Sequence, residues 1–224
     1  MTYKAFRQEI CDANRDLQKK NLTFLGRGEV SGLDRNQGIM VVKPASVPHE
    51  LLTAEDMLVL DFTGTRLEGV LAPGPDAITH LYLAMAFVEV NAIVSSYGSH
   101  SAMFAHAMRP IPCLGSIHAA HFKGEIPITR MLRKPELDRS YEKSLAAVII
   151  ERFGRMVHLE TPAVLVACHG AVSWGQTAGE AVFKGLAVEE LARIAMGTFQ
   201  LAPAIQPIPA MLVERTFSDH GRKG

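Results

Sequence analysis

Ala163-Val164-Leu165-Val166-Ala167-Cys168-His169-Gly170-Ala171-Val172-Ser173-Trp174-Gly175 is an apolar, largely β-branched run that halts at a histidine and a glycine, ahead of a loop carrying the chain's only tryptophan. A run without polar alternation reads as a strand covered on both faces, which predicts a central position in a sheet flanked by helices. Glycine at its end permits positive φ. A polar side chain at that point stands on the sheet rim, from which functional groups are presented. His169 is therefore either a strand-end histidine bonded to nearby backbone or a member of a site, and a lone histidine does not separate the two.

The segments around this run set the rest of the architecture. Leu137 to Phe153 carries Leu137, Tyr141, Leu145, Val148 and Ile149 along one stripe and predicts a helix before it. Thr177-Ala178-Gly179-Glu180 is a capping box opening an apolar helix from Ala181 to about Thr198. That helix's wide face, with Phe183, Leu186, Ala187, Leu191, Ile194 and Ala195, suits burial in the core or against a partner subunit. Upstream, Asn91–Tyr97 predicts a strand ending at Gly98, followed by a helix from Ser99 to about Met108. Asp76 is placed as the N-cap of a helix from Ala77 to about Glu89. Met57–Phe62, Ile39–Lys43 and Asn21–Leu25 read as strands, and Tyr3 to about Lys20 as an amphipathic helix with Phe6, Ile10, Ala13 and Leu17 inward. Gly26-Arg27-Gly28-Glu29 is a glycine-rich loop, either a plain turn or one offering N–H groups to an anion. His118 and His121, three apart, could share a helix face as a metal pair or bond separately. Pro203, Pro207 and Pro209 form a connector to a polar tail over Ser218–Gly224. Short turns between successive strands in residues 22–70 predict an α/β fold, a three-layer α/β/α sandwich on a mixed, largely antiparallel central sheet. The whole of residues 1–224 is expected to form a single domain.

Lys plus Arg and Asp plus Glu both total 23, so no net charge draws the chain to nucleic acid or a membrane surface. Cys11, Cys113 and Cys168 stand at no metal or redox spacing, which suits a reducing compartment. With no signal-peptide pattern and no apolar run of membrane-spanning length, a soluble cytoplasmic protein is expected.

Laid out in order, the motifs Asn21-Leu22-Thr23, Gly28, Lys43-Pro44, Leu52-Thr53-Ala54-Glu55-Asp56-Met57, Asp76 with Thr79-His80, Ile126-Pro127 with Thr129-Arg130, His169-Gly170 with Trp174-Gly175, and His220-Gly221 resemble the class II aldolase family, most closely its L-ribulose-5-phosphate 4-epimerases. The resemblance runs from about Lys4 to Gly221. It implies a homotetramer with active sites at subunit boundaries and a small-molecule substrate such as a sugar phosphate. It also implies a divalent metal, usually zinc, on three histidines, with His169 matching the third. By the same likeness Asp76 and His118 fall at catalytic positions and Gly28, Lys43 and Ser46 at substrate-binding ones. The implied reaction is metal-dependent retro-aldol and aldol epimerisation giving D-xylulose 5-phosphate.

The departures fall on the chemistry. Ser95-Ser96-Tyr97 stands where the family has His-x-His, and hydroxyls are poor zinc ligands beside imidazole. Ala120 stands where a catalytic Asp is expected and cannot move a proton. Glu29, Pro44-Ala45-Ser46 and Gly74-Pro75 replace the phosphate-binding pattern. The expectation is an epimerase-like chain with altered or weakened activity. Two alternatives stand beside it: a silent binding or structural protein, or a lyase whose rebuilt metal site draws on His169, His118, His121 or His100 with Asp76.

Overall fold

The computed structural model describes residues 3–138 and 140–221. Helix α1 (Lys4–Lys19) leads into a meander of β1 (Glu29–Asp34), β2 (Ile39–Val42), β3 (Leu58–Asp61) and β4 (Arg66–Glu68). Then follow α2 (Ala77–Ala86), β5 (Ala92–Ser96), α3 (Ser99–His106), α4 (Ser116–His121), α5 (Lys134–Leu137) and α6 (Tyr141–Phe153). The hairpin β6 (Ala163–Val166) and β7 (Gly170–Gly175) precedes α7 (Ala178–Leu201) and α8 (Ala210–Gly221). The strands form one sheet in the order β4-β3-β2-β1-β5-β7-β6, each neighbouring pair antiparallel. Short links between β1, β2, β3 and β4 dictate that sense, because a tight turn can join only antiparallel neighbours.

Strand alternation sends one set of side chains to each face. Leu33, Met40, Val42, Ile93, Val172 and Trp174 pack under α2 and α6. Val30, Val41, Ala92 and Val94 pack under α1 and the first turns of α7. Further along α7, Val188, Leu191 and Ala195 join Phe104 of α3 over Leu165 and Ala171. The expected three layers follow. Phe183 and Ile194, on the wide face of α7, remain nearly half exposed. Among the described residues no helix is long and apolar enough to cross a membrane.

Gly32 is where α1 meets the sheet: a Cβ there would overlap Ile10 Cδ1 and lie 2.6 Å from Ile10 Cγ1 and 2.9 Å from Phe6 Cζ. Gly32→Ala is expected to force α1 outward and cost about 1–3 kcal/mol. The check is a lower denaturant midpoint with an unchanged slope.

Several local expectations differ from the structure. The run at 163–175 is a hairpin rather than one central strand, and β6 lies at the sheet edge. Its uniform burial arises because Leu165 bonds to the segment beside it, donating to Pro127 O at 2.8 Å and accepting from Thr129 N at 2.9 Å. Cys168, at φ 58°, makes the turn, and Trp174 sits in β7, not in a loop. Asn21–Leu25 is no strand: Asn21 and Leu25 adopt positive φ, and Phe24 and Arg27 exchange backbone hydrogen bonds in a tight turn. Residues 29–34, left without a strand, supply β1 at the middle of the sheet. Leu137 belongs to α5 instead of α6. The polar tail folds as α8 as far as Gly221; the His220 side chain and residues 222–224 lie outside the described residues.

Candidate active site

β1 and β5 pair Glu29 with Ser95, which sets both side chains, with Ser31 and Tyr97, on the face toward α2. His80 of α2 is fully buried there, between Ser31 Oγ at 2.7 Å from Nδ1 and Ser95 Oγ at 2.9 Å from Nε2. Burial drives its pKa down to about 3, so it is neutral. Ser95 is thereby turned to His80 and held inside the sandwich.

Beyond Ser95 the polar track opens at the rim. The Tyr97 hydroxyl lies beside Asp76 and helps to hold its carboxyl down. The Tyr97 oxygen accepts from Arg27 Nη2 at 3.2 Å and lies 2.8 Å from His169 Nε2. On the other side of the ring, His169 Nδ1 lies 3.2 Å from Tyr141 Oη. Arg27 Nη2 is 3.6 Å from Asp76 Oδ1, and its guanidinium lies 5.5 Å from the Tyr97 ring centroid. Asp76 stands just before α2 as expected, yet its side chain makes no cap.

Burial, helped by the Arg27 charge, pushes His169 down to about 4. Burial raises Asp76, against the opposing pull of Arg27 and the Tyr97 hydrogen bond. Burial and the neighbouring Asp76 charge hold Glu29 well above the ordinary carboxylate range, against Lys43 and the Asp76 backbone N–H. Glu29 Oε1 is buried without a hydrogen-bond partner. Both carboxyl groups are thus raised, Glu29 the more strongly, and Asp76 has Arg27 at ion-pair distance.

The sequence-predicted residues separate into groups. Asp76 and His169 join the rim cluster. Gly28, at φ 122°, accepts from His49 Nε2 at 2.9 Å behind it. Lys43 is buried, donating to Pro44 O at 2.9 Å, while Ser46 is exposed. His118 is buried in α4 against Phe122, 5.8 Å between rings, and burial lowers it to about 4. Neither a hydrogen bond nor a ring contact ties it to the rim cluster. His100 bonds to Glu189 instead. A cavity of about 540 Å³ lined by Cys113, Lys123, Glu160 and Val213 shares no lining residue with the cluster. Sequence reasoning did not place Arg27 or Tyr141 in the site. Tyr141 was legible only as a helix-stripe residue, and Arg27 only as a charge beside Glu29.

The donor set does not fit the three-histidine zinc site that the resemblance implies. Ser95 is engaged by His80, both nitrogens of His169 face phenols, and Tyr97 is held as a phenol by burial and the Asp76 charge. Among the described residues no group of three or more His, Cys, Asp or Glu is arranged to hold a metal ion. A divalent cation roughly 5 Å from the Arg27 guanidinium would be repelled by about 7 kcal/mol at an effective dielectric constant near 20.

The family model for the "Class II Aldolase and Adducin N-terminal domain" matches residues 8–196. The chain is 37% identical to the L-ribulose-5-phosphate 4-epimerase UlaF of Salmonella paratyphi B, over 94% of this chain and 92% of that protein. Among solved structures, an L-fuculose 1-phosphate aldolase superposes with a TM-score of 0.86 at 20% identity, covering 99% of this chain and 98% of the other. The L-fuculose-1-phosphate aldolase of Thermus thermophilus superposes with a TM-score of 0.68 at 20% identity, covering 89% and 98%. At that identity the structures speak for the fold alone, and it is the sandwich described above. With the family model matched over residues 8–196 and 37% identity sustained over 94% of its length, the chain belongs to the class II aldolase and adducin N-terminal domain family.

Proposed function

We propose that this protein is an epimerase-like enzyme of the class II aldolase type, acting on a small polyhydroxylated carbonyl compound of the L-ribulose 5-phosphate kind at an altered, slower site. The observation that carries this is the 37% identity, sustained over 94% of the chain, to a protein named as that epimerase. In such a reaction a substrate hydroxyl gives up its proton as the adjacent C–C bond breaks. The bond pair passes to the carbonyl oxygen as an enediolate, the aldehyde fragment turns over, and pair and proton return. Tyr141 and Arg27, the more exposed members of the cluster, meet the substrate. The proton passes from the substrate hydroxyl through Tyr141 to His169, which Tyr97 holds on its far side, and returns by the same path. His118 is set apart from this path; its role at a catalytic position rests on the likeness alone, as do those of Gly28, Lys43 and Ser46 in substrate binding.

The likeness also supports a cytoplasmic homotetramer, and the half-exposed Phe183 and Ile194 are apolar surface that such an assembly could cover. A second reading, binding without turnover, is favoured by Ala120, which offers no proton-transfer group, and by the donor set just described. One assay separates these. Purified protein incubated with L-ribulose 5-phosphate is expected to yield D-xylulose 5-phosphate slowly, and His169→Ala to reduce the rate by about 100-fold or more. Accumulation of dihydroxyacetone and glycolaldehyde phosphate would instead identify a lyase. No turnover despite substrate binding would establish the silent reading.

A further inference from the structure

The rim cluster contains a guanidinium, that of Arg27, within reach of both Tyr97 and Asp76. We propose that Arg27 is the fixed positive charge of this site, standing in for a divalent cation, and that it takes the paired oxygens of an enediolate or a hydroxy-carboxylate as its ligand. This rests on the reading of the rim cluster as the active site.

Three observations converge on it. First, Asp76 is only 4% exposed and lies 3.6 Å from Arg27, the cation within ion-pair distance of it among the described residues. A buried carboxylate needs such a partner, so Arg27 is anchored rather than free to swing away. Second, Arg27's side chain is 45% exposed, and its hydrogen bond to Tyr97 and its approach to Asp76 both use Nη2. A guanidinium offers five N–H donors in a planar fork, so a face of it stays open to a ligand at the rim. Third, the side chains that would surround a metal here are already bonded to one another: Tyr97 to His169 at 2.8 Å, His169 to Tyr141 at 3.2 Å, and Ser95 to His80 at 2.9 Å.

A planar, permanently charged fork matches two oxygens on adjacent carbons, and donors preset toward a developing oxyanion stabilise it without reorganisation. When the C–C pair moves onto the carbonyl oxygen, the negative charge rests against Arg27 until the pair returns. No oxidant or reductant is involved.

Oxalate carries two carboxylate oxygens on adjacent carbons in one plane and serves as the probe. Full-length protein stripped with a chelator is titrated calorimetrically with oxalate, then with zinc, then with oxalate in the presence of zinc. Oxalate is expected to bind the stripped protein, with affinity unchanged by zinc. Arg27→Met is expected to weaken binding about 10- to 100-fold, and Arg27→Lys to recover part of the loss by keeping charge without the fork. Circular dichroism and the thermal midpoint verify that both variants are folded. Oxalate binding that requires zinc, or that Arg27→Met leaves intact, overturns the proposal. Zinc-dependent turnover of L-ribulose 5-phosphate would refute the role of Arg27 while upholding the epimerase-like activity. Arg27-dependent oxalate binding without any turnover would do the reverse.

Discussion

Trp174→Ala is expected to destabilise the protein by about 3–5 kcal/mol, a fall in melting temperature of roughly 10 °C for a domain this size. Trp174 has no exposed surface, and β5 and β7 pair it with Ile93. Its ring lies 5.1 Å from Phe87, which follows α2, and 5.1 Å edge-on from Phe153 at the end of α6. Phe87 in turn stacks on His158 at 4.4 Å, and the indole Nε1 donates to the His158 carbonyl at 2.9 Å. Truncation therefore removes the filler between both helices of this layer and leaves a partly buried acceptor without its donor. Trp174→Phe restores most of the volume but not the donor, and is expected to recover all but about 1–3 kcal/mol. Because this is the only tryptophan, unfolding must be followed by far-ultraviolet circular dichroism. A loss below about 1 kcal/mol for the alanine variant would contradict the packing described.

The second large effect is expected at Glu189 of α7, whose carboxylate serves the first turn of α3. Oε1 accepts from His100 N at 2.9 Å and His100 Nδ1 at 2.8 Å, and Oε2 accepts from Ser101 N at 2.9 Å and Ser101 Oγ at 2.8 Å. The opening N–H groups of a helix have no partner within it, and a carboxylate there also meets the positive end of the helix dipole. Gly98 is small because a Cβ there would crowd the Glu189 carboxylate. Glu189→Ala is expected to cost about 3 kcal/mol at neutral pH. Burial works to raise the Glu189 carboxyl, but the four donors outweigh it and hold the group below its ordinary 4.5. With the folded value depressed, the stabilisation is fully present above that ordinary value and is lost as pH falls through the folded one. The gap between wild type and Glu189→Ala is thus expected to be constant from pH 6 to 8 and to narrow in acid. A gap that widens below pH 4 would refute this assignment. Since Gly98 directly follows Tyr97, the same variant loosens the strand end that carries the candidate site.

Local signals were legible wherever one segment sufficed to produce them. The four-three-four spacing of Phe6, Ile10, Ala13 and Leu17 marks α1 because its turns bury one stripe. The capping box is half formed: Thr177 Oγ1 accepts from Glu180 N at 3.1 Å, but Glu180 Oε2 takes Gln176 N at 2.8 Å, one residue before the cap. His169 and Asp76 stood out because each ends or begins an element beside a turn. The error at β6 came from equating burial with centrality, where the parallel bridge of Ile128 to Leu165 closes an edge instead. At residues 21–25, apolar composition concealed two positive-φ residues.

By itself the sequence determined the layers, the antiparallel sense of the meander and the family, since these depend on periodicity, on turn length and on motifs kept in order. Only the tertiary structure decided which of these side chains meet. Arg27 reaches Tyr97 and Asp76, and Tyr141 reaches His169, because separate elements converge on one rim. In three dimensions Tyr97, His169 and Tyr141 are hydrogen-bonded in series with Arg27 and Asp76 beside them, while Ser95 is bonded to His80. Side-chain spacing along a strand specifies which face a residue occupies, but not which distant charge the fold brings to meet it.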